Sequence, residues 1–77
     1  MKQWGIFTTK KELNKIKRKI EKNGLEIFEV RELTFIEKLT YVNDPLLFVN
    51  EPHVIMFNAT DEEYNTIIKK LKLTPVF

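Results

Sequence analysis

The sequence predicts an α+β domain, with one antiparallel sheet carrying two helices on one face in the order β-α-β-β-α-β. Two segments repeat apolar residues at helical spacing: Leu13, Ile16 and Ile20, then Tyr64, Ile67, Ile68 and Leu71. Each is flanked by short runs rich in aromatic and β-branched residues, which read as strands. The chain has 77 residues, 43% hydrophobic and 31% charged, which fits a single domain over 1–77. A domain this small buries only about 60% of the surface its unfolded chain exposes, so most apolar positions are committed to the core.

Residues 2–8 (KQWGIFT) form the first predicted strand. Thr9 and Glu12 then stand as T-x-x-E, the signature of a capping box, and the spacing predicts a helix over 10–23. Gly24 follows as the expected left-handed residue past the helix end. Residues 25–31 (LEIFEVR) are too short for another helix and read as the second strand. Pro52 opens the third, 53–58 (HVIMFN). Thr60 and Glu63 form a second T-x-x-E and predict a helix over 61–72, with Asp61, Glu62 and Glu63 in its first turn and Lys69, Lys70 and Lys72 in its last. Those charges complement the helix dipole. Residues 74–77 (TPVF) close as a strand that Pro75 confines to a sheet edge. The two strand-to-helix junctions, 6–13 and 56–64, echo each other, either as a repeated unit or because both are capped by threonine.

Residues 32–51 admit two readings. Thr34 and Glu37 are a third T-x-x-E, with Leu33, Ile36 and Leu39 able to share one side of a short helix. Leu33, Phe35, Leu39 and Tyr41 also alternate as in an irregular strand. An extended arm between the second and third strands is preferred. Asn43-Asp44-Pro45 is a turn in both readings.

This element order resembles the ferredoxin-like superfold, through order alone and without a shared motif. The superfold hosts many functions and so supplies none. Ferredoxin-like acylphosphatases carry an arginine after the first strand, and the small CRISPR-associated nucleases carry an aspartate at its end; here those places hold Thr8 and Thr9. RNA-recognition domains carry a glycine-containing aromatic signature on the third strand, which HVIMFN lacks.

Composition narrows the chemistry further. The chain has no cysteine and no serine, which removes disulfides, thiolate metal sites and serine nucleophiles. Its absence of cysteine favours a reducing, cytoplasmic setting. Two glycines cannot build a phosphate-cradling loop. The single histidine, His53, stands at a strand start with only Glu51 nearby, which is poor equipment for general-base catalysis. Consecutive acids on a helix point about 100° apart, so Asp61, Glu62 and Glu63 cannot all hold one ion. No enzyme activity, metal or cofactor is expected. The longest apolar runs, 46–49 and 54–57, have four residues each, against about 20 for a helical bilayer span; no membrane partner and no targeting segment are expected.

What remains is surface recognition. Net charge is only +2, but residues 10–22 hold seven Lys or Arg against Glu12 and Glu21. Lys11, Lys15, Arg18 and Lys22 recur at i, i+4, i+7 and i+11, opposite Leu13, Ile16 and Ile20, and Lys19 widens the stripe. Same-sign neighbours at i,i+4 are destabilising, which speaks against a stripe selected for stability alone. Leu46, Leu47 and Phe48, with Val49, are unusually apolar for a connection. They serve either as a lid on the open sheet face or as a contact surface for a partner or a second copy in a homodimer. The expectation is a small non-catalytic regulatory or inhibitor protein. It would bind a macromolecule, a protein for preference, through Lys11, Lys15, Arg18, Lys19, Lys22, Leu46, Leu47 and Phe48. The alternative is a module holding the backbone of RNA or DNA without reading sequence, since six of the seven basic residues are lysine, a point charge ill suited to bidentate base contacts.

Overall fold

The computed structural model describes residues 1–42, 48–71 and 74–75. Its elements are β1 (Lys2–Thr9), α1 (Leu13–Lys22), β2 (Glu26–Glu32), α2 (Phe35–Tyr41), β3 (Pro52–Ala59), α3 (Asp61–Leu71) and the two-residue β4 (Thr74–Pro75). The fold is α+β. Three long strands and β4 form one antiparallel sheet in the order β2-β3-β1-β4. Pro75 sits on the edge strand, paired with Ile6, where its missing donor is harmless.

Register sets the two faces of the sheet. Trp4 lies opposite Phe57 and Ile6 opposite Ile55, while Ile27 and Val30 of β2 meet the same two residues of β3. A bulge between Ile27 and Glu29 keeps both apolar residues of β2 on that face. Onto it pack Ile16 and Ile20 of α1 and Ile67 of α3, with Leu13, Tyr64, Ile68 and Leu71 at the margin. Ile6, Ile20, Ile55 and Phe57 are fully enclosed there. Both long helices thus cover one face, as the sequence predicts. Trp4 and Tyr64 lock α3 to β1 by stacking, with ring centroids 3.7 Å apart and planes 9° from parallel. The Trp4 indole N–H donates to the Ala59 carbonyl at 3.0 Å.

The helix expected over 10–23 is shorter at its start. Thr9 stays in the ladder opposite Pro52, and its hydroxyl accepts from the Glu12 amide at 3.4 Å across a turn at 10–12 that precedes α1. Glu12 takes the cap position with no side-chain bond. The two strand-to-helix junctions therefore differ, because Thr60 and Glu63 do form a reciprocal capping box at α3, with bonds of 2.9 and 3.2 Å. At its other end α1 closes as a Schellman motif. The Gly24 amide donates to Glu21 and the Leu25 amide to Ile20, with Gly24 at φ +79°.

The preferred extended arm over 32–51 is overturned at its centre. Residues 35–41 form α2, started by a capping box in which the Thr34 hydroxyl accepts from the Glu37 amide and the Glu37 carboxylate accepts from the Thr34 amide. Leu33 and Val42, on either side of α2, turn into a second small core with Phe7 and Val54, and Phe48 and Met56 pack against it. Leu33, Val42 and Phe48 of the connection between β2 and β3 therefore pack on the sheet face opposite α1 and α3, while Val49 is exposed.

Candidate binding surfaces

Two surfaces stand out, one on each side of the sheet. On the first side, α1 turns Ile16 and Ile20 inward and leaves Lys11, Lys15, Arg18 and Lys22 exposed, with Lys19 half-buried. Lys15, Arg18, Lys19 and Lys22 stand on α1, and Lys11 lies in the turn before it. The surface ion pairs elsewhere involve Lys2 with Asp61, Lys10 with Glu51, and Arg31 with Glu29 and Glu37. Among the described residues, none of the five stripe cations has a carboxylate within 4.0 Å. The packing of α1 beside α3 adds a residue outside the predicted set. Lys19 and Lys22 share a groove of about 470 Å³ with Lys70, Asn23 and Leu71. The convergence of Lys70 depends on how two helices cross, which no spacing in the sequence encodes.

On the second side, α2 is amphipathic in the inverse sense. Phe35, Ile36 and Leu39 are 68%, 75% and 62% exposed, while Glu37 and Lys38 lie closer to the sheet. The polar side is held inward by Arg31. Its guanidinium donates two parallel bonds of 2.6 Å to the Glu37 carboxylate and a third of 2.8 Å to Glu29. The Arg31 fork, reinforced by the Thr34 amide, lowers the Glu37 carboxyl from 4.5 to about 2, and the same bonds raise Arg31 above its ordinary range. Such a forked pair fixes orientation as well as charge. It presents three large apolar side chains on a seven-residue helix that would be marginal alone.

Of the apolar segment singled out in the sequence, Phe48 is half-buried against the second core, and Leu46 and Leu47 lie outside the described residues. The stripe of α1 and Phe48 belong to opposite faces of the sheet, and the two segments approach each other at one end. There Val49, Asn50 and Glu51 share a depression of about 410 Å³ with Lys10 and Lys11, and the Lys10 amide donates to the Asn50 carbonyl.

Several other polar groups have structural surroundings that account for them. His53 directs Nδ1 at the Glu51 carbonyl, 2.8 Å away, which fixes the proton on that nitrogen because a carbonyl only accepts. Asp61 pairs with Lys2 at 3.0 Å. Burial against Trp4 and Phe57 pushes the Tyr64 phenol above its ordinary pKa. Among the described residues no three His, Asp or Glu side chains are grouped to hold an ion, and no helix is long and apolar enough to cross a membrane. Comparison with protein-family models, curated proteins and solved structures finds no match for this chain, so its surfaces are the guide to its function.

Proposed function

We propose that the chain is a small non-catalytic binding protein, a regulator or inhibitor, that docks a protein partner on the exposed face of α2. A single observation carries this: Phe35, Ile36 and Leu39 face solvent on a helix whose polar side is fastened inward by Arg31 and Glu37. Scattered apolar residues on a surface are ordinary, but contiguous ones on a fixed element mark contact sites. Rigid presentation lowers the ordering cost of association. A ferredoxin-like scaffold is part of this reading. The order β2-β3-β1-β4 with antiparallel pairing supports it, and α2, inserted between β2 and β3, is where the chain departs from the plain β-α-β-β-α-β pattern.

The test is an affinity capture from the native cell extract with light scattering on the purified chain. Ile36→Glu and Leu39→Glu are expected to abolish retention of the partner with the fold unchanged, because both side chains are already solvated. Lys15→Glu with Arg18→Glu is expected to leave retention intact. A mass of two chains that falls to one in Ile36→Glu would assign the face to a homodimer. Undiminished partner retention by both α2 variants would overturn the proposal.

A further inference from the structure

We infer that the exposed side of α1, together with the groove it forms with the C-terminal end of α3, binds the phosphate backbone of a nucleic acid without reading its sequence. This site is on the opposite face of the sheet from α2 and is independent of the protein-docking reading. Lys19, Lys22 and Lys70 line the groove, and Lys11, Lys15 and Arg18 continue the positive surface along α1.

Helix-dipole compensation accounts for only part of this charge. Lys19 and Lys22 in the last turn of α1, and Lys69 and Lys70 in the last turn of α3, sit where a helix favours cations. Lys11 and Lys15 do not. They stand just before and within the first turn of α1, where the dipole disfavours positive charge and Glu12 at the cap is the one acid beside them. Lys15 and Lys19, and Arg18 and Lys22, are also mutually repulsive i,i+4 pairs on α1. An external polyanion relieves both conflicts at once.

Dimensions and chemistry select the ligand. Ten helical residues span about 15 Å, and a strand of duplex carries a phosphate about every 3.4 Å of axis, so about four phosphates run the length of α1. Among the described residues the groove is lined by one apolar side chain, Leu71, and by no aromatic ring, so its described lining favours charge contact over base stacking. Lysine dominates, and lysine meets phosphate as a point charge. Toward the other end of α3, Glu62 and Glu63 line a second depression with Asn23 and Leu25, which adjoins the groove at Asn23. These acids repel a polyanion and bound the positive surface on that side.

The experiment is fluorescence anisotropy with the full chain and short labelled DNA and RNA duplexes, each in two unrelated sequences. Binding is expected at low salt with equal affinity for the two sequences, and log affinity should fall linearly with log salt. Each of Lys19→Gln, Lys22→Gln and Lys70→Gln is expected to lower that slope by about 0.9. Lys38→Gln, on α2, should leave it unchanged, as should Ile36→Glu. Absence of binding at low salt would overturn the inference, as would slopes equal in the groove variants and in Lys38→Gln. Polyglutamate competing as well as duplex would assign the surface to an acidic protein and overturn it too.

Discussion

Arg31 and Glu37, six residues apart, face each other through two bonds of 2.6 Å, Nη1 to Oε1 and Nη2 to Oε2. The first belongs to the edge strand β2 and the second to α2, so the pair joins a strand to the helix that follows it. Glu37 simultaneously closes the capping box with Thr34. One carboxylate thus starts the helix and fixes its rotation. The consequence is that the polar side of α2 is turned toward the sheet and Phe35, Ile36 and Leu39 toward solvent.

The pair makes the order of α2 depend on acid. Glu37 titrates at about 2 in the folded chain against 4.5 ordinarily, so the folded state binds fewer protons across that interval. The contribution is therefore complete above pH 4.5 and is lost as pH falls through about 2. Amide exchange at Lys38 and Val42, whose N–H groups donate to Thr34 and Lys38, reads the helix directly. Protection there, corrected for intrinsic rate, is expected to fall across that window before the protection of β3 does. Arg31→Lys should show reduced protection already at neutral pH, since an ammonium cannot form the fork. Flat protection at Lys38 through the whole interval would show that the ion pair does not hold α2.

The stack of Trp4 on Tyr64 predicts a measurable coupling between β1 and α3. In a double-mutant cycle with Trp4→Ala and Tyr64→Ala, the coupling is expected at about 0.5–1.5 kcal/mol, read from urea unfolding by circular dichroism. Trp4→Phe keeps a ring for the stack but leaves the buried Ala59 carbonyl without its donor, a loss of about 1 kcal/mol. Additive single mutants would mean that the two rings touch without stabilising one another.

The same motif, T-x-x-E, occurs before α1, α2 and α3, and the three outcomes show what a sequence can and cannot say. At Thr60 and at Thr34 the box forms, because each threonine is free to leave the strand. At Thr9 only half of the box forms, the hydroxyl accepting from the Glu12 amide at 3.4 Å, while the ladder to Pro52 keeps the residue in β1. The face of α1 was legible because Ile16 and Ile20 recur at i,i+4 and leave the lysines opposite. The face of α2 was not. Leu33, Ile36 and Leu39 share a helical side on paper, yet Leu33 precedes the helix and is buried while the other two are exposed. What orients α2 is polar and tertiary, an arginine on β2 reaching six residues ahead, and hydrophobic periodicity carries no trace of it. Likewise the groove of Lys19, Lys22 and Lys70 exists only once α1 and α3 are packed side by side.

Glu51 supplies the last prediction. It sits at φ +52°, the left-handed region, between Asn50 and the buried Pro52 that opens β3. A side chain there costs about 1–2 kcal/mol, because Cβ crowds the following carbonyl. Glycine removes that strain and returns roughly 0.5–1 kcal/mol of it through the greater freedom of its unfolded chain. The Glu51 carboxylate offers little in compensation, since its pairing with Lys10 is exposed and 3.8 Å long. Its carbonyl, which receives His53, survives any substitution. Glu51→Gly is therefore expected to stabilise the chain by about 0.5–1 kcal/mol, which for a domain of this size raises Tm by roughly 2–8 °C. Glu51→Ala keeps the strain and discards only the weak ion pair, so its Tm should stay near that of the natural chain. Thermal unfolding of the three proteins by circular dichroism separates the cases. A Glu51→Gly chain no more stable than Glu51→Ala would show that this turn is relaxed, and that the left-handed residue before β3 is tolerated without strain.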